Sequence, residues 1–181
     1  MIEMIHDIAC PSKKIYKDGN NWQVVWKNRF DSDYLESISI TCRKTLTVKL
    51  PSLDNMWSLV RGIFDGDGCV FISKTRDSYT GKIYSYVYIS ITSGSVHLIE
   101  ELSEFLSNNN ICNTINKDSR KGNVYYLKIR KRESVKRMRD LMYAQAGNWK
   151  LERKYKLFID NIICYMPLLY EHIRHVDKKL Y

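Results

Sequence analysis

Val60-Arg61-Gly62-Ile63-Phe64-Asp65-Gly66-Asp67-Gly68 decides how this chain is read. Upstream, Pro51-Ser52-Leu53 has the character of a helix start, and Met56, Trp57, Leu59, Val60, Ile63 and Phe64 fit one apolar helical face. Asp65-Gly66-Asp67-Gly68 should end that helix, with the strand-like run Cys69-Val70-Phe71-Ile72 following at once. Two carboxylates then fall at a helix C-terminus, where unpaired carbonyls already carry partial negative charge. Such a placement is electrostatically poor unless a cation sits there. An EF-hand would need a carboxylate eleven residues after Asp65, and that position is Arg76.

The same helix carries Ser58, Gly62 and Gly66 at a spacing of four, a stripe of small residues. Glycine inside a helix costs about 1 kcal/mol relative to alanine, and the stripe lets a second helix backbone approach closely. A partner helix with the same ending would bring a second acid beside Asp67. Two carboxylates converging on a divalent metal suit phosphodiester hydrolysis.

At these residues the chain resembles the LAGLIDADG, or dodecapeptide, homing endonucleases. The likeness covers roughly residues 34 to 160. It implies an α+β fold in the order helix, hairpin, helix, hairpin, helix (αββαββα), whose four-stranded saddle lies on double-stranded DNA. It implies further that Asp67 binds the catalytic Mg²⁺ (or Mn²⁺) and that Gly66 offers its carbonyl to the same ion. Leu151-Glu152-Arg153-Lys154-Tyr155 resembles the stretch that carries the family's active-site lysine. That role passes to Lys154, with Lys150 as the fallback and Lys44 as the matching lysine of an earlier repeat.

Composition agrees with such a partner. The 181 residues carry a net charge of +9 with a pI near 9.3, which points to a polyanion. From Lys117 to Asp140 ten bases face three acids, so this one region supplies most of the excess. No apolar run approaches a membrane span, and the N-terminus lacks a secretory signal pattern. Five cysteines without a C-x-x-C pair suit a reducing compartment. The expected location is therefore cytoplasmic or organellar, not secreted. His172 and His175 stand at helical spacing after Glu171 but have no further ligand cluster beside them.

The chain also repeats itself. An offset of 103 pairs Gly19 with Gly122, Asn20 with Asn123, Trp22 with Tyr125, Val24 with Leu127 and Leu35 with Met138. Gly-Asn in both copies predicts two tight hairpin reversals. Three segments result: residues 1–50 as the rear half of one repeat, 51–165 as a complete repeat, and 166–181 as a helical tail. Cleavage would then require a homodimer or a partner supplying the N-terminal half. The small-residue stripe of Ser58, Gly62 and Gly66 is the expected helix-pair interface.

On the strand from Lys82 to Thr92, alternation puts Tyr84, Tyr86, Tyr88 and Ser90 on one face, with a slip expected near Ser85. Lys74, Arg76, Lys82, Arg120, Lys121, Lys128 and Arg130 are the candidate DNA contacts. The alternatives are a LAGLIDADG-derived regulator or intron maturase that binds without cutting, and a basic nucleic-acid-binding domain whose Asp-Gly-Asp-Gly is only a turn.

Overall fold

The computed structural model describes residues 10–163 apart from 26, 39, 41–45, 120 and 121, together with residues 3 and 7. Lys44, Arg120, Lys121, His172, His175 and the expected tail 166–181 lie outside the described residues. A two-stranded antiparallel hairpin comes first, β1 (Ile15–Asp18) and β2 (Asn21–Val24), followed by helix α1 (Arg29–Ser37). Next come α2 (Met56–Asp67), β3 (Gly68–Arg76), β4 (Ile83–Ser93), α3 (Val96–Asn108), β5 (Thr114–Lys117), β6 (Tyr125–Ile129), α4 (Arg132–Tyr143) and α5 (Glu152–Ile163). From α2 to α4 this is the expected helix, hairpin, helix, hairpin, helix order, and α5 follows it.

Helix α2 begins at Met56, later than Pro51 suggested. Asn55 is the reason: its side chain accepts from the Ser58 N–H at 3.1 Å, an N-cap that proline and serine upstream do not supply. The other end matches expectation, since the helix stops at Asp67 and the strand starts at Gly68. Glycine is needed there for space rather than for backbone freedom. A Cβ at Gly68 would stand 2.5 Å from the Phe64 carbonyl oxygen and would also strike the Phe64 ring. Helix α3 starts as the sequence indicated, with the Ser95 hydroxyl accepting from Leu98 N–H.

Strands β3 to β6 form one antiparallel sheet in the order β3-β4-β6-β5. Pairing of β3 with β4 runs unbroken from Gly68 opposite Ile91 to Arg76 opposite Ile83, so the slip expected near Ser85 does not occur. Ser85 is simply a polar residue on the core-facing parity, where the hairpin extends past the core. One face of the sheet is covered. Val70, Ile89, Ile91, Leu127 and Ile129 pack there against Val60 and Phe64 of α2, Ile99, Leu102 and Leu106 of α3, Met138 and Met142 of α4, and Phe158 of α5. Removing these side chains from water is the main favourable contribution to folding, about 1.5–3 kcal/mol for each large one.

The front of the chain is different in kind. β1 and β2 form their own sheet, closed by a tight Gly19-Asn20 turn with Gly19 at a φ of +57°. In the second hairpin the expected turn includes Arg120 and Lys121, which lie outside the described residues, and Gly122 has a φ of +64° like its counterpart Gly19. β5 ends at Lys117 and β6 begins at Tyr125, with Asp118 N–H donating to the Val124 carbonyl at 2.9 Å. The offset of 103 does carry Arg29, the first residue of α1, onto Arg132, the first residue of α4. Their surroundings nevertheless contrast. Val135, Met138 and Met142 of α4 are buried, whereas α1 buries no residue and leaves Phe30 84% exposed.

The glycines of α2 make a direct prediction about stability. Gly68→Ala should cost about 2–3 kcal/mol, because overpacking forces shifts around Phe64. Gly62→Ala, with nothing within 4 Å of the added methyl, should stabilise the free chain by up to ~1 kcal/mol. Chemical denaturation of both variants checks this, and equal midpoints would contradict it.

Candidate metal centre and nucleic-acid interface

The two acids of the motif face different ways, and the chain's later helices decide which. Asp65 is turned into the protein. Its Oδ2 accepts the Leu151 N–H at 3.0 Å, immediately ahead of α5. A carboxylate at a helix N-terminus meets the positive end of the dipole, a favourable placement. Its Oδ1 is buried without a hydrogen-bond partner, and so is the hydroxyl of Tyr143 at the end of α4. Burial holds the Asp65 carboxyl above the usual carboxylate range, against the opposing pull of the Leu151 N–H and of Lys154, Arg61 and Arg153. Burial likewise pushes the Tyr143 phenol up, with the neighbouring Asp65 charge acting in the same direction.

Lys154 answers from the opposite side. It is only 5% exposed. Its Nζ donates to the carbonyls of Phe64 (2.7 Å), Asp65 (2.8 Å) and Gly68 (2.6 Å), with Gly66 farther at 3.5 Å. The cation that the helix end lacked in sequence is therefore this ammonium, placed on the orphan carbonyls. Burial, and then Arg153, draw its pKa below the usual lysine range. Carbonyl acceptors nevertheless serve the protonated form best, because it has three N–H groups to donate. Those three are occupied by Phe64, Asp65 and Gly68. A phosphate contact from Lys154, the role the resemblance implied, would require one of these bonds to be given up. Lys150 Nζ bonds the Gly147 carbonyl at 3.0 Å and sits over the Tyr155 ring.

Asp67, by contrast, is exposed, and among the described residues no hydrogen-bond partner holds it. It lines an open groove of about 560 Å³ together with Leu59 and Ile63 of α2, Thr92 to Gly94, and Ile40 and Val48. Gly62 and Gly66 are exposed beside it, with open space at both Cβ positions. Ser58 is partly committed, since its hydroxyl accepts from Arg61, which also donates to the Met142 carbonyl at 2.9 Å. The expected stripe is therefore an unfilled helix surface running up to Asp67. Among the described residues no three His, Cys, Asp or Glu side chains converge on a point. The residues fit half of a divalent-cation site: one free carboxylate, and at Gly66 a carbonyl only loosely engaged by Lys154.

The sheet face away from the helices is bare. Register puts Phe71, Ser73 and Thr75 of β3 across from Tyr88, Tyr86 and Tyr84 of β4. Ser90 lies beside Lys128, and Thr92 beside Tyr126, with Thr114 and Asn116 on β5 completing the row. Phe71 and Tyr88 stack at 4.9 Å and 9°. Lys128 Nζ stands 5.4 Å from the centre of the Tyr126 ring. Of the predicted DNA contacts, Lys128 lies on this face, and Arg130 follows it with the same strand parity. Lys74 and Arg76 fall on the opposite parity of β3, Arg76 folding back to the Gly81 carbonyl. Lys82 sits in the loop at the hairpin tip, its N–H on Thr80 and its carbonyl accepting from Asp77 N–H. Sequence reading missed Phe71, Tyr126 and Asn116. Cys69-Val70-Phe71-Ile72 is apolar at every position, so no alternation marked which residues face out.

Residues 54–142 match the model of the LAGLIDADG-like domain. Over those residues the chain carries a LAGLIDADG-like domain. Its fold is that of I-SmaMI, a LAGLIDADG homing endonuclease solved bound to cleaved DNA, with a TM-score of 0.62 at 16% identity. That alignment takes in 96% of this chain and 76% of I-SmaMI. I-TnaI, a homing endonuclease, aligns at 22% identity and a TM-score of 0.48 over 59% of this chain and 71% of its own. The archaeal intron-encoded homing endonuclease I-Vdi141I, complexed with DNA, aligns at 14% identity and 0.46 over 54% of this chain. The chain spans only 59% of that archaeal enzyme's length. No curated protein matches the sequence. Identities this low establish the fold and leave activity to be argued from the site. Among the described residues no helix is long and apolar enough to cross a membrane.

Two consequences are measurable. Lys154→Met takes the ammonium away from the carbonyls of Phe64, Asp65 and Gly68 and should cost about 3 kcal/mol, whereas Lys150→Met should stay within about 0.5 kcal/mol. Comparable losses in the two variants, read by denaturant titration, would contradict the carbonyl clamp. The second concerns acid. A raised folded-state pKa means that protonated Asp65 favours the folded chain at low pH and that this contribution fades as pH rises through the folded value. Wild type should therefore lose stability relative to Asp65→Asn as pH climbs above the ordinary value of 3.8. Parallel melting curves across that range would contradict it.

Proposed function

We propose that the chain is a site-specific DNA endonuclease of the homing type, which hydrolyses phosphodiester bonds once a second motif helix joins its own. The observation that carries this reading is the free Asp67 carboxylate at the end of an open small-residue stripe, above a sheet whose outer face is bare. Double-stranded DNA would lie on that face. Tyr84, Tyr86, Tyr88, Tyr126, Thr114 and Asn116 would meet base edges, and Lys82, Lys128 and Arg130 would meet phosphates. Lys74, Arg76, Arg120 and Lys121 are proposed as further phosphate contacts from the hairpin ends.

Asp67 and the Gly66 carbonyl would hold Mg²⁺ or Mn²⁺ jointly with an acid from the partner helix. When bound, the ion supplies an activated water and neutralises charge on the leaving oxygen. The chain's own residues do the rest: α2 presents the acid, the sheet orients the backbone, and Lys154 keeps the helix end in shape. Lys150, rather than Lys154, is the candidate for the phosphate. The partner is a second copy or a chain supplying the front half of a repeat. The bare α1 surface favours the second source. An alternative is a LAGLIDADG-derived binder that no longer cuts. The single metal-directed acid among the described residues favours it wherever no partner is present.

Selection of cleaved duplexes from a random DNA library in Mg²⁺ tests the proposal. Asp67→Asn should abolish cutting by more than about 10³-fold while binding stays within threefold. Gly62→Leu should abolish cutting without destabilising the free chain, because its side chain fills the seat of the partner helix. Binding without cleavage under every condition would select the non-cutting reading.

A further inference from the structure

Asp65 has no part in the proposed chemistry, yet it is the more buried of the two motif acids. Its Oδ2 fixes the Leu151 N–H at 3.0 Å. Leu151 stands immediately ahead of α5, and its carbonyl accepts the Lys154 N–H at 2.9 Å, so one turn links the Asp65 contact to the Lys154 side chain. Lys154 then returns to the carbonyls of Phe64, Asp65, Gly66 and Gly68. The loop is closed: the end of α2 holds the start of α5, and α5 holds the end of α2. Tyr143 stands over this closure, its ring 4.9 Å from that of Tyr155, its hydroxyl buried like Asp65 Oδ1.

Within the loop the carbonyl of Gly66 is the least engaged, at 3.5 Å, because the three N–H groups of the ammonium go to closer acceptors. We infer that Asp65 is a positioning residue for the divalent-cation site, setting through Leu151 and Lys154 which carbonyl is left for the ion beside Asp67. Without the Asp65 acceptor, α5 and Lys154 shift, and the ammonium competes with the ion for Gly66. This inference rests on the proposed metal role of Asp67.

Backbone-amide NMR of the full chain during Mn²⁺ titration tests it, because paramagnetic broadening reports the site itself and not turnover. In wild type the Gly66, Asp67 and Gly68 amides should broaden first. Asp65→Asn keeps an oxygen acceptor and should leave the Mn²⁺ midpoint within twofold. Asp65→Leu keeps the volume, loses the acceptor, and should raise the midpoint at least fivefold, with amides of Val96–Asn108 reporting an intact fold. Should Asp65→Leu not fold, Asp65→Ser, shorter and still polar, should show the same rise. A wild-type midpoint in the folded Leu or Ser variant would reduce Asp65 to a structural role and overturn the inference. If broadening at Gly66 to Gly68 is absent in wild type, or persists in Asp67→Asn, the metal reading fails and takes this one with it.

Discussion

Helix α2 ends where the chain most needs it to be precise, and an α-helix end is where backbone groups are least satisfied. The last carbonyls of a helix run short of N–H partners there, and the motif adds two acids to that negative end. Lys154 resolves the conflict by placing its buried ammonium on those carbonyls, while Asp65 turns onto the opposite pole of α5. Each helix supplies the charge that the other's dipole favours. The arrangement explains why only one motif acid remains outside. Asp67 stays exposed because Asp65 and Lys154 have already satisfied the helix end without it.

That exposed acid acquires meaning from what surrounds it. The hydrophobic core lies on one side of the β3-β4-β6-β5 sheet, and on the other side Tyr84, Tyr86, Thr114 and Asn116 are exposed while Ser90 is buried beside Lys128. The stripe of Gly62 and Gly66 keeps a strip of backbone bare beside Asp67. Side chains there would have been cheaper for the helix taken alone. Sheet face and stripe thus meet at a single carboxylate, one of the two acids that the proposed divalent-cation site calls for. In the front half the same logic appears as exposure: α1 carries Phe30, Tyr34 and Leu35 with nothing buried around them.

Much of this was legible in the sequence, and the reasons differ by element. The helix ending at Asp67, the immediate strand and the Ser95 cap are local, governed by residues within a turn of one another. The order of hairpins and helices followed from period and from the resemblance. What could not be read was long-range. Asp65 and Asp67 are two residues apart and chemically identical, and their separation depends on Leu151, 86 positions away. Lys154 was singled out, but its acceptors could not be, because they belong to the far helix. The true start of α2 was set by Asn55, which a proline four residues earlier concealed.

The central claim is that one chain carries half of a cutting site. Its most direct test is the mass of the species on a bound DNA duplex in Mg²⁺, by light scattering or mass photometry, scored beside cleavage of the same duplex. The account predicts cleavage only where the duplex carries two motif helices, from two copies or from one copy and a partner half. A single copy on DNA that cuts both strands would contradict it.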